Sequence, residues 1–154
     1  MKAVIFLGLW VSLVGSTGCA VAKDEIAVVL PPSPTSEERI FADTILTAFK
    51  RKDPALLTEI SHWKSSEGKP TFFAEFYGEL LKRGCKKLTI ERVDPKLATE
   101  RIENNERIRE SLPVSWVLVV YHSTTASIST DMNAGLDEGI IKLTTSSVVK
   151  ESEK

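Results

Sequence analysis

The run Val114-Ser115-Trp116-Val117-Leu118-Val119-Val120-Tyr121 decides the fold. Branched and aromatic side chains dominate it and fit the pleated surface of a sheet. Its near-continuous apolar character predicts a central strand covered on both faces. Sheet character spreads outward through the second half of the chain. Leu88-Thr89-Ile90 with Val93 predicts one strand, and Thr124 to Thr130 and Ile140 to Val149, rich in Thr, Val and Ile, predict two more. The polar stretch Asp131 to Gly139 between these two predicts a turn. An antiparallel sheet is the simplest outcome.

The first half reads as helices. Thr35 stands three residues before Glu38, a capping-box spacing that satisfies two orphan amides, and a helix to about Lys52 follows. Phe41, Ala42, Ile45, Leu46 and Phe49 recur at helical spacing along it, and Lys50, Arg51 and Lys52 sit where the helix dipole favours positive charge. Asp53-Pro54 caps a short second helix whose buried side is Leu56, Leu57, Ile60 and Trp63. After a polar loop, a third helix from Thr71 carries Phe72, Phe73, Phe76, Tyr77, Leu80 and Leu81 as a core-facing stripe. It ends at Gly84, a residue suited to a left-handed C-terminus.

Pro95 to Leu112 supports two readings. Its Lys, Leu, Ala, Glu and Arg content behind Asp94-Pro95 favours an exposed helix, whereas Asn104-Asn105 between Ile102 and Ile108 suits a hairpin turn.

At the amino terminus, Lys2 precedes an apolar run from Ala3 to Val14, long enough for the core of a signal peptide and too short to span a bilayer. Gly15-Ser16-Thr17-Gly18 and then Cys19 resemble the bacterial lipoprotein processing site, in which a small residue precedes a cysteine that becomes acylated. Ser16 departs from the aliphatic residue usual there. The resemblance implies a signal peptide over 1–18 and a membrane anchor through a lipid such as palmitate on Cys19. Ala20 in the following position implies the outer rather than the inner membrane. A competing small-x-small site, Ala20-Val21-Ala22, would release a secreted or periplasmic protein after Ala22. Residues 19–34, with Pro31-Pro32-Ser33-Pro34, read as a lipid-anchored tether ahead of a single domain over 35–150 and a polar tail over 151–154.

The 154 residues, less a leader, leave roughly 130 for one domain. With 42% hydrophobic and 27% charged residues the chain is composed to fold. Twenty basic against twenty-one acidic side chains argue against nucleic acid as a partner, because phosphate binding needs a basic surplus. Either processing route removes Cys19 from disulfide chemistry. Cys85 is then a lone cysteine behind a helix C-terminus, where a small buried hydrophobe is expected rather than a thiolate.

Helices followed by a curved sheet with a Trp-containing strand resemble the nuclear-transport-factor-2-like, cystatin-like α+β superfamily over Thr35 to Val149. The similar stretches are Ala48-Phe49-Lys50-Arg51-Lys52-Asp53-Pro54-Ala55-Leu56-Leu57 and Pro113 to Val120. The resemblance implies N-terminal helices on a curved antiparallel, cone-like sheet, and it favours the hairpin for Pro95 to Leu112. It implies a pocket rather than a reaction, since that superfamily holds isomerases, dehydratases and binding modules.

Candidate chemistry is sparse. His62 and His122 are the two histidines, too far apart in sequence for a short-range zinc pair. His122 and Tyr121, at the end of the central strand, are the weak catalytic candidates if the domain is a small isomerase or dehydratase. Asp131, Asn133, Gly135, Asp137 and Glu138 imitate a calcium loop, but Leu136 and Lys142 stand where glycine and a bidentate Glu belong. Gly68-Lys69-Pro70-Thr71 imitates the end of a phosphate loop, yet Pro70 removes a needed amide. No cofactor or metal is expected. The expectation is a cell-envelope lipoprotein whose non-catalytic domain binds an envelope protein, a wall component or a small ligand.

Overall fold

A computed structural model describes residues 25–62, 69–95, 99–125 and 128–148. The expected signal peptide, Cys19, the polar tail and Trp63 lie outside the described residues.

The fold is α+β: among the described residues three helices pack against a strongly curled, mostly antiparallel sheet, a half-barrel, within a single domain. Helix α1 (Ser36–Arg51) begins with the capping box between Thr35 and Glu38 and ends at Lys52, whose φ of 53° is left-handed. Asp53 caps α2 (Pro54–Glu59) by accepting the Ala55 amide, and α3 (Lys69–Arg83) stops before Gly84 at φ 77°.

The larger sheet has the order β1-β2-β5-β6-β7, with β1 (Ala27–Val29), β2 (Lys87–Arg92), β5 (Val114–Tyr121), β6 (Ser129–Asp137) and β7 (Ile140–Leu143). Every pairing in it is antiparallel except β1 with β2. A second sheet, in the order β3-β4-β8, joins β3 (Glu100–Glu103), β4 (Glu106–Glu110) and β8 (Ser146–Val148). Trp116, Leu118 and Val120 face the core with Leu88, Ile90, Met132 and Ala134, and the stripes of α1 and α3 close over them through Phe41, Ile45, Phe49, Tyr77 and Leu80.

Five expectations change. The central strand alternates between buried and half-buried positions, so its second face is only partly covered. Asp131 to Asp137 is strand rather than turn, and β6 starts only at Ser129. Met132 and Ala134 point inward while Asp131 and Asn133 point away, a period of two that the turn-like composition conceals. The reversal shrinks to Glu138-Gly139, both at positive φ (50° and 83°), as a two-residue hairpin requires. Ile140 to Val149 splits at Thr144-Thr145, sending β7 and β8 to different sheets. The stretch read as a free tether carries β1: Ala27 pairs with Lys87, Ile26 and Leu30 pack on the core, and Pro31 is buried. Phe76, placed in the core stripe, is 40% exposed.

Within Pro95 to Leu112, Glu100–Glu103 and Glu106–Glu110 pair as a hairpin. Asn104 and Asn105 take φ of 52° and 64°, the left-handed pair that Asn tolerates best after Gly, and the Glu100 carboxylate accepts bonds of 2.6 Å from Arg107 Nη2 and Arg109 Nε across the strands.

A register shift between Val114 and Trp116 bends β5 where it meets Gly135. A Cβ at position 135 would lie 2.4 Å from the Pro113 carbonyl oxygen, so the bend demands glycine there.

Candidate functional site

A pocket of about 290 Å³ opens between α3 and the strands β6 to β8. Helical spacing sets Phe73, Phe76 and Tyr77 on one face of α3, and they form its wall. The Tyr77 ring centroid lies 6.0 Å from that of Phe73 and 5.6 Å from that of Phe76, both in tilted geometry. Tyr77 itself is anchored. Ser61 Oγ donates to the Leu57 carbonyl at 2.7 Å, so the Tyr77 hydroxyl donates to Ser61 Oγ at 2.7 Å. Burial raises the Tyr77 pKa, against which the Ser61 bond acts.

The opposite side is polar. Glu110, 4% exposed, accepts from Thr144 Oγ1 at 2.7 Å, Ser146 Oγ at 2.8 Å and Asn133 Nδ2 at 3.2 Å. These bonds tie β4 to β6 and to the β7–β8 crossing, where the Thr145 hydroxyl donates to the His62 carbonyl at 3.1 Å. Asp131 stands at the rim, exposed, and Met132 and Leu143 add apolar surface. An aromatic wall thus faces a side of hydroxyl, amide and carboxylate groups.

Compared with known proteins, the chain matches no family profile, no curated protein and no solved structure.

Asp131 and Asn133 of the calcium-like stretch line this pocket, whereas the two histidines and Tyr121 lie elsewhere. His122 spans two elements: Nδ1–H donates to the Gly84 carbonyl at 2.6 Å, which leaves Nε2 to accept the Thr130 hydroxyl at 2.8 Å. Both ring nitrogens are committed to neutral groups, and the ring ties the end of α3 to β6. Tyr121 carries the Lys87 ammonium 5.4 Å above its ring centroid. Neither residue lines the pocket. His62 lies at the end of α2; its Nδ1 is buried without a hydrogen-bond partner among the described residues. Burial raises the Cys85 thiol to about 11, which suits packing rather than nucleophilic chemistry. Among the described residues no group of three or more His, Cys, Asp or Glu side chains is placed to hold a metal, and no helix is long and apolar enough to cross a membrane.

Sequence reasoning passed over Glu110, which lies in the segment with two readings, and weighed Asn133 only as part of a calcium-like loop in the stretch taken for a turn. The aromatic wall was visible as a stripe on α3, and the exposure of Phe76 is what separates its pocket side from its core side.

Proposed function

We propose that this protein is a cell-envelope lipoprotein, anchored through a lipid on Cys19, whose domain is a non-catalytic binding module. The pocket between α3 and the β6–β8 strands is its binding site. The facing of Phe73, Phe76 and Tyr77 against Asn133, Thr144, Ser146 and the Asp131 rim carries this reading. Such a site fits a ligand with one apolar face and hydrogen-bonding groups along the opposite edge, the chemistry of a sugar ring in a wall component. Tyr77 and Glu110 are locked by their own hydrogen bonds and serve as fixed surfaces, and Phe76 is the free face a ligand would cover.

The test is a nuclear magnetic resonance titration of the protein with soluble wall saccharide fragments. Shifts confined to α3 and β6–β8, and roughly fivefold or more weaker binding by Phe76→Ala with an unchanged fold, are expected, since a stacked ring is worth on the order of 1 kcal/mol or more. Shifts that map to another face, or no shifts at all, would remove the saccharide reading.

A further inference from the structure

The end of the domain nearest its amino terminus is basic. Helix α3 finishes on Lys82 and Arg83, Gly84 turns the chain, and β2 opens on Lys86 and Lys87; all four basic side chains are exposed. The same end receives β1, because the Ala27 amide donates to the Lys86 carbonyl at 3.2 Å. Of the four, Lys82 is paired with Glu79 at 2.6 Å. Lys86, Lys87, Tyr121, Ser123 and Thr124 line a shallow hollow of about 270 Å³. It therefore combines ammonium groups, which attract an anion, with hydroxyls that donate to its oxygens.

Chain length adds a second constraint. If Cys19 bears the lipid, the eight residues from there to Ala27 reach at most about 29 Å when fully extended. A domain of this size is roughly 35 Å across. A tether shorter than the domain's width, fixed to β1 at Ala27, keeps the β1–β2 end close to the bilayer.

We infer that this end docks on the membrane, with the Lys86–Lys87 hollow seating the phosphate headgroup of an anionic phospholipid in the leaflet that holds the anchor. The inference rests on the proposed lipid at Cys19. Exposed Ile128, joined to this end by its carbonyl accepting the His122 amide at 2.9 Å, adds an apolar contact, the mixture of basic and aliphatic groups that suits a headgroup boundary. Docked this way, the domain has a fixed rather than a swinging orientation above the leaflet.

The test uses the natural full-length product mixed with vesicles of phosphatidylcholine alone or with phosphatidylglycerol added. Flotation is measured first, and then the reactivity of Lys86 and Lys87 toward a membrane-impermeant amine reagent, read by mass spectrometry with Lys142 as the internal reference. On phosphatidylglycerol vesicles the two lysines should react about fivefold or more slowly, the factor expected for one basic group at an anionic surface, and high salt should restore the rate. Lys86→Glu with Lys87→Glu should still float on both vesicle types, while a remaining lysine, Lys82, loses its protection. Equal reactivity on both vesicle types, with flotation intact, overturns docking and leaves the anchor standing. Failure to float on neutral vesicles overturns the anchor; capture by the anionic vesicles alone then supports docking, and capture by neither overturns both. Protection by inorganic phosphate or an acidic wall polymer on neutral vesicles would assign the hollow to a soluble anion and overturn the lipid assignment.

Discussion

Arg92 grips Glu38 through two parallel bonds, Nε to Oε1 at 2.7 Å and Nη2 to Oε2 at 2.8 Å, joining the far end of β2 to the first turn of α1. The Trp116 indole N–H donates to the same Oε1 at 2.7 Å, and the Thr35 amide donates to Oε2 at 2.8 Å. One carboxylate, 1% exposed, therefore joins the helix cap, β2 and the central strand β5. Arg92 also reaches the carbonyls of Pro32 and Ser33 at 3.4 Å, which fixes the segment leading into α1.

Glu38→Ala should therefore destabilise the domain by about 3 kcal/mol, because it leaves the buried indole N–H and the cap amide without their acceptor and removes the carboxylate that holds the half-exposed Arg92. Trp116→Phe, which removes one donor, should cost about 1–2 kcal/mol. Urea denaturation measures both, and combining the substitutions should cost less than their sum because they share a bond.

Acid should expose the same lock. The Arg92 bond, with the Thr35 amide and the Trp116 N–H, holds the Glu38 carboxyl at about 2 although burial opposes it, whereas the ordinary value is 4.5. A lowered folded pKa gives a contribution fully present above pH 4.5 and lost as pH falls toward 2, worth on the order of 2–3 kcal/mol. Denaturation followed from pH 5 down to 2 should show this loss in the wild type and a flatter profile in Glu38→Gln.

Two glycines should respond oppositely to alanine. Gly135→Ala drives a Cβ to 2.4 Å from the Pro113 oxygen and 2.9 Å from the Leu112 Cβ, mostly backbone that cannot swing aside, and should cost about 2 kcal/mol or more. Gly78 lies in α3 with nothing within 4 Å of the added atom, so Gly78→Ala should stabilise by up to about 1 kcal/mol. Thermal midpoints moving in the same direction would refute the close approach at Gly135.

Asn105→Gly should stabilise the β3–β4 hairpin by about 0.5–1 kcal/mol, since glycine holds φ 64° more easily than asparagine, and Asn105→Val should destabilise it. Amide exchange across β3 and β4 reads the effect locally.

Most of the fold was legible where one local signal dominated. Thr35 with Glu38, Asp53 with Pro54, and Gly84 mark helix ends by chemistry confined to a few residues, and the structure keeps all three. Asp131 to Asp137 misled because its polar residues face away from the core while Met132 and Ala134 face in, and composition alone averages over that alternation. The tether misled for a different reason. Ile26 to Leu30 is too short to show a period, and its strand exists only because β2 supplies the partner. The candidate site was less legible than the fold. Glu110 on β4, Asn133 on β6 and Thr144 at the β7–β8 crossing are far apart in sequence, a meeting that depends on register and not on spacing.

The mass of the intact protein recovered from cell membranes is the decisive quantity, because it reads the first residue and whatever is attached to it. A chain beginning at Cys19 with acyl groups added is the expected result. A soluble chain beginning at Lys23, or one that retains Met1, would contradict the anchor and with it the placement of the domain at the envelope surface.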